Sequence, residues 1–272
     1  MTRLKTTDIA GIASTLDAYD DRLRSQTGQS LKGLACLSAG TGEGKWQARL
    51  SDVNVGVIPF SCGQGIIDQF SDIVAGIIRY LGGSVFVTAA SDVTAIVDAC
   101  RRRADILFMA DEDRFVAIDL QRRRVVDNAQ MTGRGFALGL SLMAGSLTGE
   151  SVLVIGCGQV GQSAADKLLE LGAHLSVYDV NRSSAERLIR QTGDQVKLEP
   201  DLDAALMRCD LVLDASPAAD IIRAAHITRK TVVAAPGMPC GTTAAATEKL
   251  GRRLLHDPLR IGVACMLAAV VK

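Results

Sequence analysis

The sequence has few aromatic residues and no excess of charge of either sign. Only 4% of its 272 residues are aromatic, so it offers no row of rings on which single-stranded nucleic acid could stack. Lysine plus arginine and aspartate plus glutamate both number 30, so the formal net charge is zero. The basic surface of a nucleic-acid-binding protein is therefore missing, and we expect no nucleic-acid partner.

Clustered cysteines and long apolar runs are missing too. The seven cysteines are scattered, with neither C-x-x-C nor the spacing of a zinc site. This favours reduced thiols in a cytosolic protein and predicts no metal. The first residues lack the apolar stretch of a signal peptide, and the late apolar run from Ile261 to Val271 is too short to span a bilayer. The expected location is the cytoplasm, without a membrane partner.

The most informative segment that is present spans residues 151–179, with the sequence SVLVIGCGQVGQSAADKLLELGAHLSVYD. A continuous apolar run predicts a buried parallel strand, and a glycine turn, a helix and a second strand follow. Gly156, Gly158 and Gly161 form G-x-G-x-x-G, which allows a tight turn, close approach of a pyrophosphate and close packing of the helix. The predicted cofactor-binding turn also contains Gln159 and Val160.

Asp179 ends the second predicted strand and indicates which dinucleotide binds. It follows the first glycine by about 20 residues, where the ribose 2′-hydroxyl needs an acceptor. A carboxylate there would repel a 2′-phosphate, so we predict NAD as the cofactor. Arg182 is compatible with NADP, but a solvated arginine at the start of a helix is the simpler interpretation.

The order of elements predicts an α/β protein with two domains. Residues 1–147 are expected to form a small N-terminal α/β substrate domain, and 148–272 a Rossmann domain with a doubly wound, mostly parallel sheet. Within the first domain we expect a helix over 6–25 and a loop over 38–44. A C-terminal helix over 259–271 is apolar almost all round, which predicts that it is buried and packs back towards the N-terminal domain.

Ligands of a doubly wound sheet lie beyond the carboxyl ends of its strands, so polar and turn residues at predicted strand ends are candidates. Ser216-Pro217 and Pro236-Gly237 fall where loops of this fold follow the nicotinamide half, although both are also ordinary turn sequences. Asp111 could hold a substrate ammonium by a charge-assisted hydrogen bond, but a turn carboxylate is the simpler alternative. Further candidates at strand ends are Ser61, Cys62 and Asn128.

Several segments together resemble a particular family. Val57 to Phe60 first suggest the strand end of shikimate dehydrogenases, but Ser61 stands where those enzymes have their catalytic lysine. The segments IPFSCGQGIIDQFSDIVAGI, ILFMADEDRF, VLVIGCGQVG, ASP, AAPGMPC and DPLRIGVACM instead occur in the same order in pyrrolysine biosynthesis dehydrogenases. The chain is similar to that family over nearly its whole length.

The resemblance implies a specific reaction and a specific set of contacts. The family's substrate is 3-methyl-D-ornithine joined by an amide to the side-chain nitrogen of L-lysine. NAD oxidises the terminal amine, ammonia and water are lost, and the pyrroline ring closes. Substrate contacts of the family correspond to Leu4, Cys62, Phe70, Asp111 and Asn128, with Ser61 adjacent and Cys62 replacing the family's serine.

Two other functions fit the same sequence. One is a dehydrogenase for another amino acid or hydroxy acid on the same scaffold, and the other is a non-catalytic regulator that binds NAD. The expected partner is a small-molecule isopeptide. A homodimer is compatible with the sequence, which does not determine the oligomeric state.

Overall fold

The computed structural model of the protein describes residues 4–193 and 196–272. Its strands form two sheets, one in each half of the described chain. The strands are β1 Asn54–Ile58, β2 Ser84–Val87, β3 Ile106–Ala110, β4 Phe115–Asp119, β5 Arg124–Asp127, β6 Ser151–Ile155, β7 His174–Tyr178, β8 Val196–Leu198, β9 Leu211–Asp214, β10 Val232–Ala235 and β11 Leu254–His256.

The helices precede, connect and cover these strands. They are α1 Thr6–Ile9, α2 Leu16–Thr27, α3 Leu31–Ala39, α4 Glu43–Leu50, α5 Phe70–Tyr80, α6 Asp92–Arg101, α7 Asn128–Ala144, α8 Gln159–Glu170, α9 Arg182–Gln191, α10 Leu202–Leu206, α11 Ala244–Leu250 and α12 Arg260–Val271. Among the described residues, no helix is long and apolar enough to cross a membrane.

The first sheet has the strand order β2-β1-β3-β4-β5. Its first three strands run parallel, and α5 and α6 connect them. β3, β4 and β5 are antiparallel neighbours joined by short turns. Phe108 and Phe115, paired edge to face across this sheet, are both buried and fix its inner side.

The second sheet is entirely parallel, with the order β11-β10-β9-β6-β7-β8. The order reverses between β6 and β9, which is the switch point of a Rossmann fold. β9 and β10 are buried along their whole length because helices cover both faces of the sheet. The predicted α/β fold, with a Rossmann sheet following a smaller N-terminal sheet, is confirmed.

Two helices join the halves. α7 starts directly after β5, where the Asp127 carboxylate accepts hydrogen bonds from Ala129 and Gln130, and it packs against α8 of the Rossmann half. α12 is buried almost all round and packs on α3, α5, α7 and the strands β4 and β5. The domain boundary at 147/148 itself stays a prediction.

The first 50 residues differ from their sequence prediction. The single helix expected over 6–25 is interrupted, because Gly11 has φ +75° and its carbonyl accepts the hydroxyls of Ser14 and Thr15. The loop expected over 38–44 is shorter than predicted and covers only 40–42, since α3 ends at Ala39 and α4 begins at Glu43. A Ser30 hydroxyl caps α3 by accepting from the Gly33 amide at 2.9 Å.

The contact between α7 and α8 generates a stability prediction. A Cβ at Gly133 would lie 2.4 Å from the Val160 carbonyl oxygen and 2.7 Å from the Ala164 nitrogen, so Gly133→Ala must push two backbones apart. We expect it to lower the free energy of unfolding by on the order of 1–3 kcal/mol in a denaturant titration. Gly44→Ala is the matched control.

Gly44 also lies in a helix, α4, but a Cβ there meets nothing within 4 Å. Alanine has the higher helix propensity, so this control should be neutral or stabilising by up to about 1 kcal/mol. Equal effects of the two substitutions would contradict the close contact between α7 and α8.

Candidate cofactor and substrate site

The glycine turn after β6 is built by backbone contacts that exclude side chains. Gly156 has φ +87°, a conformation that favours glycine. A Cβ at Gly161 would lie 1.8 Å from the Gly156 carbonyl oxygen, so the first turn of α8 can pack on the end of β6 only with glycine there. These are the strand, the tight turn and the helix that the sequence predicts.

Gly158 faces open space at the start of α8. A Cβ at Gly158 would meet no atom within 4 Å, although the glycines on either side of it are tightly packed. The first amides of α8 have no partner within the helix, and their dipoles favour an anion such as a pyrophosphate. The turn borders a cavity of about 580 Å³ that is lined by Glu112, Asp113, Arg114, Ala129, Gly156, Gly158, Gln159, Val160, Asp179, Ala215 and Pro217.

Asp179 lies at the end of β7, beside this turn. Its Oδ2 accepts a 2.7 Å hydrogen bond from the Cys157 amide, and its Oδ1 accepts one of 2.8 Å from the Asn181 amide. Burial, and then the charge of Asp179, raises the pKa of the Cys157 thiol to about 12. Both carboxylate oxygens keep further lone pairs, so Asp179 can still accept from a ribose hydroxyl.

A second cavity, of about 290 Å³, adjoins the first and is mostly apolar. Its lining is Ile155, Gly156, Tyr178, Asp179, Val180, Leu202, Ser216, Pro217, Ala218 and Ile221. Such a slot suits the flat adenine ring of a dinucleotide, with Asp179 between the adenine and the pyrophosphate positions. Arg182 forms a 2.9 Å ion pair with Glu186 on α9 instead of entering either cavity lining. The residues present therefore fit NAD.

Ser216 and Pro217 follow β9, and Asp214 holds them in place. The buried carboxylate of Asp214 accepts from the Ser216 amide at 3.1 Å and from its hydroxyl at 2.7 Å. Burial raises the pKa of Asp214 to about 6, although the two bonds from Ser216 act in the opposite direction. Nothing in the sequence pattern singled out Asp214, because its role depends on burial that only the folded chain shows.

Pro236 and Gly237 follow β10 and pack against this loop. The Gly237 amide donates to the Asp214 carbonyl at 3.0 Å, and a Cβ at Gly237 would lie 2.1 Å from the Ser216 carbonyl oxygen. Neither residue lines the two cavities described above. Their direct contact with NAD stays a prediction.

Asp111 directly follows β3 and opens a tight turn, whose next three residues line the large cavity. Its Oδ1 accepts hydrogen bonds from the amides of Asp113 at 2.8 Å and Arg114 at 2.7 Å, so it is a turn carboxylate. Among the described residues Oδ2 accepts none, which leaves that oxygen for a ligand. Glu112, Asp113 and Arg114, which follow Asp111 in this turn, line the cavity together with the glycine turn.

The remaining predicted substrate residues surround that turn in different ways. The short 3-10 helix after Cys62 lies on the Asp111 backbone, because the Gln64 amide donates to the Asp111 carbonyl at 3.4 Å. Ser61 is exposed, and its amide donates to Asp92. Cys62 is partly exposed.

Phe70, Asn128 and Leu4 are more enclosed. Phe70 is buried and stacks edge to face on Phe115 with 5.3 Å between ring centroids. The Asn128 amide nitrogen lies 3.2 Å from the Met266 sulfur on α12, and Leu4 packs against the core of the N-terminal half. Contact of these three residues with a substrate stays a prediction.

Comparison with known protein families gives two matches. Residues 7–126 match the family described as "Pyrrolysine biosynthesis protein PylD, N-terminal domain". Residues 116–229 match the NAD-binding domain of D-isomer-specific 2-hydroxyacid dehydrogenases. The second match covers the glycine turn, Asp179 and Ser216, and with the geometry of the turn it assigns NAD as the cofactor.

Two curated relatives match the chain from end to end. Pyrrolysine synthase of Methanosarcina acetivorans is 30% identical over 271 residues, covering 100% of both chains. Pyrrolysine synthase of Methanosarcina barkeri is also 30% identical, covering 100% of this chain and 98% of its own.

Solved structures of two dehydrogenases share the fold. Quinate dehydrogenase from Corynebacterium glutamicum in complex with NAD is 17% identical, with a TM-score of 0.56 over 81% of this chain and 93% of its own. Shikimate 5-dehydrogenase from Thermus thermophilus is 14% identical, with a TM-score of 0.54 over the same shares. At such low identity these likenesses establish the fold alone.

The open space at Gly158 predicts that a substitution there can abolish NAD binding without destabilising the fold. Gly158→Val should leave the thermal unfolding of the protein nearly unchanged, because its side chain meets nothing, and should abolish NAD binding in a fluorescence titration. Gly161→Val is the contrasting variant, and it should fail to fold because its Cβ overlaps the Gly156 backbone. Normal NAD affinity in Gly158→Val would remove the turn from the cofactor site.

Asp179 generates a prediction about cofactor preference. Asp179→Asn keeps an oxygen for the Cys157 amide but removes the charge that would repel a 2′-phosphate. The ratio of NADP to NAD dissociation constants should fall by the equivalent of about 1–3 kcal/mol, the usual value for a hydrogen bond to a charged group. Titrating both cofactors on one sample measures the ratio, and an unchanged ratio would contradict the assignment.

Proposed function

This chain belongs to the pyrrolysine synthase family, and we propose that it catalyses the ring-forming last step of pyrrolysine biosynthesis. Its family and its NAD-binding domain make it an NAD-dependent dehydrogenase of pyrrolysine biosynthesis. The proposed substrate is L-lysine-Nε-3-methyl-D-ornithine. Oxidation of its terminal amine would give an imine, and water would hydrolyse that imine to an aldehyde and ammonia. Condensation of the aldehyde with the ornithine α-amine would then release one water and close the ring of pyrrolysine.

The observation that carries the proposal is that the acidic turn and the glycine turn line one cavity. Glu112, Asp113 and Arg114 come from the N-terminal half, and Gly156 and Gly158 come from the Rossmann half. A substrate held by the first group would therefore meet a cofactor held by the second. When bound, NAD accepts a hydride from the carbon that carries the amine.

Asp111 would position that amine. Two backbone amides hold Oδ1 in place, so the direction of Oδ2 is set before a ligand arrives. Oδ2 can accept a charge-assisted hydrogen bond from the substrate's amine, a contact typically worth about 1.5–3 kcal/mol. A preorganised acceptor of this kind costs little ordering entropy on binding.

The N-terminal half, residues 1–147, would act as the substrate domain. Cys62 lies where the family has a serine, and its thiol is a weaker donor than a hydroxyl, so its contact contributes less orientation. Leu4 and Phe70 supply apolar enclosure for the aliphatic part of the isopeptide. Once an aldehyde and the ornithine α-amine are held in one molecule, ring closure is favoured by proximity.

The direct test is a reaction with defined components. Purified protein, NAD and the lysine–methylornithine isopeptide are mixed, reduced cofactor is followed by absorbance, and the product mass is measured. We expect reduced cofactor and pyrrolysine in equal amounts. Turnover of other amino or hydroxy acids instead would favour a general dehydrogenase, and NAD binding without any turnover would favour a regulator.

The role of Asp111 generates a separate prediction. Asp111→Asn should leave NAD affinity unchanged and lower kcat/KM by about ten- to a hundredfold, since it removes one charged contact to a reacting group. Asp119 provides the matched control, because its Oδ1 also accepts from two turn amides, those of Gln121 and Arg122. Asp119→Asn should lower the melting temperature and leave activity per folded molecule intact.

If Asp111 had only its turn role, Asp111→Asn would behave like the control. Melting temperature and kcat/KM measured on the same samples separate the two outcomes. A stable, NAD-binding Asp111→Asn variant with full activity would exclude Asp111 from the site.

A further inference from the structure

A cysteine and a histidine meet at the carboxyl edge of the Rossmann sheet, outside the two cavities described above. β9, β10 and β11 are parallel neighbours, and His256 ends β11 in register with Ala235, which ends β10. The loop that leaves β10 carries Cys240, whose thiol lies within hydrogen-bonding reach of His256. Cys240 is partly exposed, and His256 is half-buried.

A backbone carbonyl sets the tautomer of His256. Its Nδ1 lies 2.7 Å from the Ala235 carbonyl oxygen, which can only accept, so Nδ1 carries the proton. The other ring nitrogen, Nε2, is then the basic one in the neutral imidazole. A nucleophile beside a base that a third group orients is the arrangement of an activated nucleophile.

Two hydroxyls support the sulfur from the other side. The Thr242 hydroxyl oxygen lies 3.2 Å from Cys240 Sγ and 2.7 Å from the Thr247 hydroxyl oxygen. Thr247 can therefore donate to Thr242, which donates to the sulfur, and such donors favour a thiolate over a thiol. Cys240 thus has a base for its proton and a donor for its charge.

The surrounding charges also favour an ion pair between the two side chains. Burial raises the pKa of Cys240, but the hydrogen bond and charge of His256 and the hydrogen bonds from Thr242 outweigh it, and the pKa is lowered. Burial lowers the pKa of His256, but Cys240, the Ala235 carbonyl and Asp257 outweigh it, and the pKa is raised. Asp214 interacts electrostatically with the same imidazole.

Asp214 adds a buried carboxylate beside this loop. Its Oδ2 makes no regular hydrogen bond within the described residues, although, against the burial that raises the pKa of Asp214, the neighbouring Gly241 backbone amide lowers it. That oxygen points at the residue after Cys240, since a Cβ at Gly241 would lie 2.0 Å from it. A protonated His256 nearby would compensate a carboxylate in this position.

Three buried cysteines lack this combination, and a fourth cysteine is exposed. Burial is the main reason why the pKa of Cys36 is raised to about 11 and the pKa values of Cys157 and Cys265 are raised to about 12. Cys100 is exposed on α6, and it can serve as an accessible reference thiol. Of the other two histidines, His174 is exposed and His226 bonds to Asp203.

We propose that Cys240 and His256 form an activated thiol site that reacts with electrophilic carbon. His256 takes the thiol proton, the sulfur lone pair forms an S–C bond, and the leaving group departs with the electron pair of its own bond. With iodoacetamide as the electrophile, the products are a thioether and iodide, so no oxidant is required. This site is separate from the proposed amine oxidation and does not depend on it.

The test is competitive alkylation of the folded protein. Limiting iodoacetamide is added at about pH 6.5, where an ordinary thiol is mostly protonated, and labelled peptides are quantified by mass spectrometry. We expect Cys240 to react at least about tenfold faster than Cys100. As the pH is raised, the alkylation rate of Cys240 should begin to increase at a lower pH than the rate of Cys100. Cys240 reacting no faster than Cys100 would overturn the proposal.

Variants then test the pairing with the base. His256→Gln should slow labelling of Cys240 by about tenfold without changing Cys100, whereas His174→Gln, at an exposed histidine, should change neither. Thr242→Val should slow Cys240 less, and it provides a second test if His256→Gln does not fold. If His256→Gln and Thr242→Val both fold and neither changes the alkylation rate of Cys240, the result would contradict the site.

Discussion

The close contact between α7 and α8 is the constraint on which the site depends. At Gly133 the backbone of α7 comes so near the first turn of α8 that not even a methyl group fits between it and the Val160 carbonyl. The Ser163 hydroxyl reinforces the contact by donating to the Gln130 carbonyl at 2.7 Å. Because α7 follows β5 directly and α8 follows the glycine turn, this contact places elements of both halves around one cavity.

The fold could be predicted where local patterns and tertiary packing agree. Strand β6 is a continuous apolar run that ends at the glycine turn, and β7 ends just before Asp179, so both lie where the sequence predicts them. The first 50 residues were harder, because a break at Gly11 and a cap at Ser30 depend on single backbone conformations and hydroxyl bonds. Helical periodicity alone does not show where such a break falls.

The site was predictable to the extent that it follows strand ends. The glycine turn, Asp179 and the Asp111 turn all lie at the carboxyl edges of their sheets, as the switch-point rule requires. Asp214 and the pair of Cys240 with His256 were not predicted as a group. Their relation comes from three strands that pair side by side, and no spacing along the chain encodes which strands become neighbours.

The two interpretations of Asp111, a turn carboxylate and a substrate ligand, do not exclude each other. A carboxylate has two oxygens, and the turn occupies Oδ1 with the amides of Asp113 and Arg114. Fixing one oxygen restrains the rotation of the whole group, so the entropy of ordering Oδ2 is lost on folding and not on binding. The turn thus prepares the acceptor that amine oxidation would need. The same logic applies to Asp179, whose Oδ2 the Cys157 amide of the glycine turn holds in place, as the predicted contact with a ribose would require.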